Sequence, residues 1–213
     1  MKMTNTCKVS LWITLLFLPL AASAQTSNRD WWNKLFLENK TAFKKDPSPL
    51  LVHAIENRKP GDALDLGMGE GRNAIFLAQQ GWRVTGVDYS DVAVNMARSR
   101  AAKLGVKLQA VVQDLDAYDF GRERWDLILL FYMHAWFHTS PTNPPQRVLT
   151  ALRPGGLLVM EGYAGDKDEF QTNELLHLFD TLRIIHYQDA TDEAEWAPGQ
   201  KSRVVRFIGE KQG

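Results

Sequence analysis

Three glycines at alternating positions mark the stretch of the chain where chemistry is expected. Gly67, Gly69 and Gly71 follow the apolar run at residues 63–66 and precede a segment whose apolar residues recur at helical spacing. Glycine accepts backbone conformations with positive φ and lets a ligand approach the main chain without meeting a Cβ atom. The helix that follows would direct its positive N-terminal end at this turn. The turn is therefore predicted to bind a carboxylate or a phosphate.

An acidic residue lies where a nucleoside ligand would require one. Asp88 ends a second apolar segment, residues 84–87, and comes seventeen residues after Gly71. A carboxylate at the tip of the second strand of a βαβ unit can accept hydrogen bonds from both ribose hydroxyls. The dinucleotide fingerprint G-x-G-x-x-G, counted from Gly67, requires glycine at position 72, where this chain has Arg72. The pattern predicts nucleoside binding and makes a nicotinamide-dependent reductase the weaker alternative.

The sequence Asp65-Leu66-Gly67-Met68-Gly69-Glu70-Gly71 resembles the first motif of the class I S-adenosylmethionine-dependent methyltransferases. The sequences Gln113-Asp114-Leu115 and Leu152-Arg153-Pro154-Gly155-Gly156-Leu157 resemble later motifs of that family and occur in the family's order. Together the motifs look most like the small tellurite-resistance-like methyltransferases, whose acceptors are small molecules. Their first motif normally has cysteine where this chain has Met68. We expect this change to be tolerated, because the contact there is mainly made by backbone.

The resemblance implies a role for each matched residue. The glycine motif would wrap the methionine moiety of S-adenosylmethionine, Asp88 would bind the ribose, and Asp114 would lie at the adenine amino group. Arg72 and Asn73 begin the first helix and are placed to meet the methionine carboxylate, although Arg72 could equally face solvent. The cofactor-binding residues expected in full are Asp65, Gly67, Gly69, Gly71, Arg72, Asn73, Asp88, Tyr89, Asp114, Leu115 and Phe131.

Candidate catalytic residues follow the fourth and fifth predicted strands. His134 and His138 come after the strand Trp125–Phe131, and their spacing would place both imidazoles on one helical face. They could act as a general base, ligate a metal or be structural; no third ligand is evident, so no metal is predicted. Tyr163 could orient an acceptor, while Glu161 could instead pair with an arginine. The predicted catalytic residues are therefore His134, His138 and Tyr163.

The elements that position these residues predict one α/β domain. Apolar strand candidates alternate with helical patterns as far as residues 157–160, after which two strand candidates, residues 183–187 and 202–208, occur with no helix between them. Such a direct return predicts an antiparallel pair. The family resemblance implies a doubly wound, Rossmann-like sheet of seven strands, mostly parallel with an antiparallel last strand. A helix after Ser90 is predicted to bury Ala93, Met96, Ala97, Ala101 and Leu104.

The N-terminus has the pattern of a secretory signal. Lys2 and Lys8 precede an apolar stretch, and Ala22-Ser23-Ala24 forms a small-residue cleavage site, so residues 1–24 are predicted to be removed. This predicts a periplasmic or secreted protein; the alternative is a cytoplasmic protein, or one anchored through an uncleaved N-terminus. Residues 25–213 would form a single domain without cysteine, since Cys7 lies in the leader. The aromatic segment at residues 30–36 would cover the cofactor opening or pack on the sheet edge.

Charge and size indicate the kind of partner. The 25 basic residues equal the 25 acidic ones, and without Lys2 and Lys8 the chain has a charge near −2, so no nucleic-acid partner is predicted. No stable membrane insertion of the mature chain is expected. The sequence therefore predicts in-line methyl transfer from S-adenosylmethionine to a small-molecule acceptor. A non-catalytic cofactor-binding protein of the same fold stays open as an alternative, because export would deliver the chain to a compartment where this cofactor is not made.

Overall fold

The computed structural model describes residues 20–38, 45–195 and 197–213. Most of the predicted leader, residues 1–19, lies outside the described residues, and its last part forms the beginning of the first helix. In chain order the elements are α1 Leu20–Leu37, α2 Pro49–Ile55, β1 Asp62–Leu66, α3 Arg72–Gln79, β2 Arg83–Asp88, α4 Asp91–Lys103, β3 Leu108–Val112, β4 Trp125–Phe131, α5 His134–Thr139, α6 Pro144–Ala151, β5 Leu152–Tyr163, α7 Glu174–Leu178, β6 Leu182–Glu193 and β7 Lys201–Lys211.

Within the described residues, seven strands form one sheet in the order β3-β2-β1-β4-β5-β7-β6. The pairs β1–β2, β2–β3, β1–β4 and β4–β5 are parallel, and β7 is antiparallel to both β5 and β6. The prediction of a seven-stranded, mostly parallel sheet with an antiparallel last strand is confirmed. The strand order reverses beside β1, so the carboxyl ends of β1 and β4 flank the crevice where doubly wound sheets bind ligands.

Both faces of the central strands are buried, because successive apolar side chains along each strand point to opposite faces of the sheet. Leu64 and Leu66 of β1 belong to the cluster that includes Phe137, Phe170 and Phe207. Ala63 of β1 belongs to the cluster on the other face, which contains residues of α2 and α3. A run of apolar residues without polar alternation is typical of parallel strands covered by helices on both sides. The sheet is therefore a rigid platform whose strand ends carry the candidate site.

One local prediction is wrong in detail. Met96 and Leu104 are exposed, because α4 instead buries Ala93, Val94, Ala97 and Ala101 against the sheet. In the motif at residues 152–157, residues 153–156 loop out between the pairs Trp125–Leu152 and Leu127–Leu157, and Gly155 has a φ of 78° there. This excursion corresponds to the turn that precedes the fifth strand in the motif.

Helix α1 covers the glycine turn and packs on α4. Asn33 Nδ2 donates to Asp91 Oδ1 at 2.9 Å, and Ser90 Oγ donates to Asn33 Oδ1 at 2.6 Å. Phe36 is buried, with its ring edge 3.6 Å from the position that a Cβ atom on Gly69 would take. Of the two interpretations of this aromatic segment, the structure agrees with the cover over the cofactor opening. The described part of the chain contains no helix that is both long enough and apolar enough to span a bilayer.

Candidate functional site

The glycine turn has the backbone conformation that its sequence predicts. Gly67, Gly69 and Gly71 have φ values of 74°, 54° and 76°, all in the left-handed region that glycine adopts without strain. The Gly67 N–H donates to the Val87 carbonyl at 2.8 Å, which ties the turn to the end of β2. A Cβ atom on Gly67 would collide with the side chain of Met133. Glycine is therefore required at position 67 both for backbone conformation and for space.

Met68 explains how the turn tolerates its departure from the family's usual cysteine. The Met68 side chain is buried against β2, where a Cβ atom on Gly86 would collide with its sulfur. Gly86 thus creates the space that the longer side chain needs. Gly67 and Gly69, on either side of Met68, both have left-handed φ values.

Two buried aspartates lie beside the turn. Asp88 is 8% exposed; its Oδ2 accepts from the Gly69 N–H at 2.9 Å and its Oδ1 from the Ser90 N–H at 2.8 Å. Asp65 is 3% exposed and accepts from the Ala74 N–H at the first turn of α3. Burial raises the pKa of Asp65 to about 7, against the opposing charge of Arg72, and burial also raises the pKa of Asp88. The carboxylate predicted for the ribose therefore lies directly at the glycine turn.

A small cavity of about 70 Å³, partly open to solvent, lies between this turn and the end of β4. The described residues that line it are Lys45, Asp65, Gly67, Met68, Glu70, Arg72, Asn73, Phe131, Tyr132 and Glu195. Glu70 Oε1 is buried there without a hydrogen-bond partner among the described residues. Charged side chains therefore line the cavity, and one buried carboxylate oxygen among them lacks a hydrogen-bond partner, as expected of a site for a charged ligand.

The structure divides the predicted cofactor residues into two groups. Asp65, Gly67, Arg72, Asn73 and Phe131 line the cavity. The remaining residues lie at or next to the turn or at the ends of β2 and β3, outside the cavity lining, and are Gly69, Gly71, Asp88, Tyr89, Asp114 and Leu115.

Two members of the second group, Gly69 and Tyr89, lie against aromatic residues of α1. Tyr89 forms a side-chain hydrogen bond with Trp32 of α1, and burial together with the charges of Asp88 and Asp114 raises its pKa. Asp114 Oδ1 accepts from the Asp116 N–H at 2.8 Å. Tyr89 thus lies beside α1, whereas Arg72 and Asn73, predicted for the methionine carboxylate, line the open cavity.

The predicted catalytic residues form a row of rings that leads away from the cavity. The Tyr132 ring, at the cavity, lies 5.3 Å from the Tyr163 ring, and Tyr163 lies 5.7 Å from His134, measured between centroids. The ring of Phe170 contacts both His134 and His138. His134 and His138 thus share one face of α5, as predicted. His138 Nε2 lies 2.7 Å from Glu174 Oε1, at the end of the row farthest from the cavity.

His134 and Tyr163 differ in protonation behaviour. His134 Nδ1 is buried without a hydrogen-bond partner among the described residues, and burial lowers the pKa of His134, so its imidazole is neutral near pH 7. Burial, together with the charges of Glu169 and Glu161, raises the pKa of Tyr163, so its hydroxyl keeps its proton. The pair therefore offers one proton acceptor and one donor. The described residues contain no group of three or more His, Cys, Asp or Glu side chains arranged to hold a metal ion.

A charged network at the end of β4 was not predicted from the sequence. Tyr132 has a left-handed φ of 57°, which is strained for an aromatic residue, and its hydroxyl donates to Glu161 Oε1. Glu161 is 1% exposed and its Oε2 accepts from Arg206 Nε at 2.9 Å. The Glu195 N–H donates to the Tyr132 hydroxyl at 2.8 Å, and the Glu195 carboxylate pairs with Arg72. The proposed pairing of Glu161 with an arginine is confirmed.

The cavity residues that were not predicted differ in whether their position in the sequence marks them. Tyr132 directly follows the fourth strand, a position that signals the ligand edge of a doubly wound sheet. Glu70 lies inside the glycine motif itself. Glu195 is separated from Arg72 by 123 residues, and no spacing pattern marks it. Only the fold brings that carboxylate into the cavity.

Comparison with known proteins agrees with this geometry. Residues 63–156 match the model of a methyltransferase domain family. The chain contains a class I S-adenosylmethionine-dependent methyltransferase domain. The matched range begins in β1 and ends in the first part of β5, so it includes the glycine turn, Asp88 and Asp114. S-adenosylmethionine is the cofactor of this family, as the sequence predicted.

Two solved structures share the fold of the methyltransferase domain. A 1,6-didemethyltoxoflavin-N1-methyltransferase of Burkholderia thailandensis, solved with S-adenosylhomocysteine and its acceptor bound, has a TM-score of 0.72 at 19% identity, covering 95% of this chain and 99% of that one. TehB from Haemophilus influenzae has a TM-score of 0.68 at 19% identity, covering 76% of this chain and 61% of that one. At such identities the likeness concerns the fold.

Two curated relatives are more similar in sequence. Hemagglutinin 1 of Eikenella corrodens is 38% identical over 175 residues, covering 75% of this chain and 58% of the relative. Ribosomal RNA small subunit methyltransferase C of Alcanivorax borkumensis is 33% identical over 121 residues, covering 52% of this chain and 36% of the relative. The chain thus spans between about a third and six tenths of the length of these relatives.

Proposed function

We propose that the protein transfers a methyl group from S-adenosylmethionine to a small-molecule acceptor. The observation that carries the proposal is the contact between Asp88 Oδ2 and the Gly69 N–H, at 2.9 Å. It joins the predicted ribose carboxylate to the glycine turn, whose residues Gly67 and Glu70 line the cavity. The fold and the family match support this use of the site.

The residues present fit the cofactor group by group. Arg72 and Asn73, at the N-terminus of α3, would hold the methionine carboxylate, which favours a helix N-terminus and a guanidinium. Asp65 and the unsatisfied Oε1 of Glu70 would face the methionine ammonium. Asp88 would accept from the ribose, with Asp114 near the adenine. When bound, S-adenosylmethionine supplies a methyl group that is electrophilic because it is attached to a sulfonium.

The chain's own contribution to transfer is orientation, exclusion of water and the handling of one proton. The row formed by Tyr132, Tyr163 and His134 leads from the cavity to the acceptor side. We assign His134 as the group that accepts a proton from the acceptor, since its imidazole is neutral and its Nδ1 lacks a partner. The Tyr163 hydroxyl would orient the acceptor by donating a hydrogen bond. His138, paired with Glu174, lies farther from the cavity and is the weaker of the three candidates.

A small molecule is the acceptor class that the chain's charge and fold neighbours favour. The sequence has no net charge at pH 7, which gives no electrostatic attraction for nucleic acid. The fold neighbour from Burkholderia methylates a small heterocycle according to its name. The relative named as a ribosomal RNA methyltransferase makes RNA the acceptor to test against.

The proposal is tested by incubating the protein with methyl-labelled S-adenosylmethionine and a panel of thiols, amines, hydroxylated aromatics, oxyanions and ribosomal RNA. We expect label on one class of small molecule, and loss of that label in the H134A variant with H177A, at a histidine outside the site, as the matched control. Cofactor binding with no label on any acceptor would instead support a non-catalytic binding protein. Label on RNA alone would contradict the acceptor class.

We further propose that the protein is exported, because of the predicted leader at residues 1–24. N-terminal sequencing of the protein purified from its native cells should then begin at Gln25. Recovery of intact Met1 chains from the cytosol would contradict export. Recovery of intact chains from the membrane fraction would instead support an uncleaved anchor.

A further inference from the structure

The guanidinium that is expected to bind the cofactor already forms an ion pair with a carboxylate of the protein itself. Arg72 and Glu195 form an ion pair inside the cavity, with 16% and 4% of their side chains exposed. Arg72 is also held by the Asp46 carbonyl, which accepts from its other terminal nitrogen at 3.1 Å. A buried pair of this kind is screened little by solvent. Any carboxylate that reaches Arg72 must therefore contend with Glu195.

The second cation that lines the cavity is also paired with a carboxylate of the protein. Among the described residues that line the cavity, Lys45 and Arg72 are the cations. Lys45 Nζ lies 2.6 Å from Glu70 Oε2. The two pairs differ in burial, since 55% of the Lys45 side chain is exposed whereas Glu195 is almost fully enclosed. Arg72 is thus the buried cation of the cavity, and its partner is a protein carboxylate.

Glu195 is held in the cavity by the segment to which it belongs, residues 192–195, which we call the 192–195 corner. Its backbone N–H donates to the Tyr132 hydroxyl at 2.8 Å, and Ala194 is fully buried. At the other end of the corner, Asp192 Oδ2 accepts from Arg206 at 2.6 Å. The corner is therefore fixed at both ends, and the approach of Glu195 to Arg72 is a built contact of the fold.

We propose that Glu195 is an internal competitor for the cofactor, occupying Arg72 until the carboxylate of the incoming ligand replaces it. This inference rests on the proposed function, because it takes Arg72 as the site of the methionine carboxylate. Replacement exchanges one carboxylate for another on the same guanidinium, so the charge on Arg72 stays compensated throughout. The released carboxylate belongs to the corner that contacts Tyr132, where the row of rings toward the acceptor side begins.

The competition makes a quantitative prediction about affinity. A ligand that requires a minor, open arrangement binds with an apparent Kd raised by the inverse of that arrangement's population. E195Q keeps the size of the side chain and its backbone contact with Tyr132 but removes the competing charge. If Glu195 holds Arg72 in about nine molecules of ten, E195Q should bind S-adenosylhomocysteine about tenfold more tightly.

The experiment is a calorimetric titration of wild type, E195Q and E195A with two ligands. S-adenosylhomocysteine carries the carboxylate, whereas 5′-methylthioadenosine has the same nucleoside without the amino acid. We expect E195Q and E195A to lower the Kd for S-adenosylhomocysteine and to leave the Kd for 5′-methylthioadenosine unchanged. E123Q removes one charge from an exposed glutamate outside the cavity and is the matched control, expected to change neither value. Thermal unfolding of each variant verifies that it is folded.

The possible failures are distinguishable. If wild type binds neither ligand, the proposed function itself fails. If wild type binds S-adenosylhomocysteine but folded E195Q and E195A bind it equally or more weakly, the inference fails alone, and Glu195 serves instead to position Arg72 or to attract the ligand's ammonium. If both variants tighten both ligands equally, the cavity has merely been widened, which also overturns the competition.

Discussion

At the glycine turn, the Asp88 carboxylate accepts from two backbone N–H groups, whereas at the end of β4 Tyr132 is held by the side chain of Glu161 and the main chain of Glu195. The turn joins residues close in sequence through main-chain geometry. The proposed acceptor side joins Tyr132, which follows β4, to residues of β5, β6 and β7 through hydrogen bonds, ion pairs and ring contacts. The two sides of one cavity thus rest on different kinds of interaction.

This difference explains how the two sides can serve different requirements. A site made from backbone conformation depends on a few glycines and changes little when other side chains change. A site made from side chains can alter its acceptor by substitution without disturbing the cofactor. The methyltransferase domain accordingly combines a glycine turn that its sequence identifies with a network of side chains at the end of β4 that it does not.

The largest effect is expected from G67A. Its new methyl group would both strain a residue at a φ of 74° and collide with Met133, which we expect to cost about 3 kcal/mol in the free energy of unfolding and to abolish cofactor binding. G155A is the matched control, because Gly155 has a φ of 78° with open space around it. Urea unfolding of both variants measures the difference. If G67A and G155A are destabilised equally and G67A still binds S-adenosylhomocysteine like wild type, the close approach of other atoms to Gly67 does not matter.

The next effect is expected from D88A. Losing this carboxylate leaves the N–H groups of Gly69 and Ser90 without their acceptor and removes the ribose contact, which should weaken S-adenosylhomocysteine binding by about 30-fold, or about 2 kcal/mol. Calorimetry measures the Kd. D180A, which removes an exposed carboxylate between α7 and β6, should bind like wild type. Unchanged affinity in D88A would show that the nucleoside lies elsewhere.

On the side built from side chains, E161Q should reduce stability rather than cofactor affinity. Glu161 is fully buried between Tyr132 and Arg206, so removing its charge weakens two hydrogen bonds and leaves the half-buried Arg206 with less compensation. We expect the free energy of unfolding to fall by about 2 kcal/mol. The control D189N, on a pair with the more exposed Arg203, should cost about 0.5 kcal/mol. Similar losses in both variants would mean that the network adds no more than a surface pair.

The smallest effect is a pH dependence of affinity that arises from Asp65. Burial raises the pKa of Asp65 to about 7 in the free protein, so this carboxyl is increasingly protonated below pH 7. The ligand's ammonium favours the ionised form, and affinity for S-adenosylhomocysteine should therefore rise about tenfold between pH 6 and pH 8. D65N should flatten this rise. If the wild-type affinity does not depend on pH, or if it depends on pH equally in D65N, then Asp65 does not contact the ligand's ammonium.

The raised pKa of Asp65 also affects stability: its contribution to the free energy of unfolding falls as pH rises, whereas the affinity for the ligand increases. Between pH 4 and pH 7 the unfolded chain loses the Asp65 proton while the folded chain retains it, so this residue makes the fold less stable as pH rises. D65N should therefore gain stability relative to wild type as pH increases through this interval. Urea unfolding at pH 4.5 and pH 7.5 measures the change in the difference between the two proteins.

The predictability of each region follows from how its residues interact. The run Trp125–Phe131 was predicted residue for residue, because a strand buried on both faces needs consecutive apolar residues. The turn and Asp88 were predicted together because both lie in one βαβ unit. Met96 and Leu104 were placed in the core wrongly, since helical spacing alone does not show which of two adjacent stripes faces the sheet.

The acceptor side escaped prediction for a different physical reason. Glu195 reaches Arg72 only because β7 inserts between β5 and β6 and carries the β6–β7 connection back to the carboxyl ends of the strands. Arg206 likewise reaches Glu161 through the antiparallel register of β7 on β5. Contacts between residues so far apart in the chain depend on register and side-chain rotamer, which no local pattern encodes.

The central claim is that the glycine turn, Asp88 and the cavity beside them bind one nucleoside amino acid. Calorimetric titration of the wild-type protein with S-adenosylhomocysteine at pH 7.5 tests this most directly. The account predicts saturable binding of one ligand per chain, weakened in D88A and lost in G67A. The absence of detectable heat at millimolar ligand, with the protein folded, would contradict it.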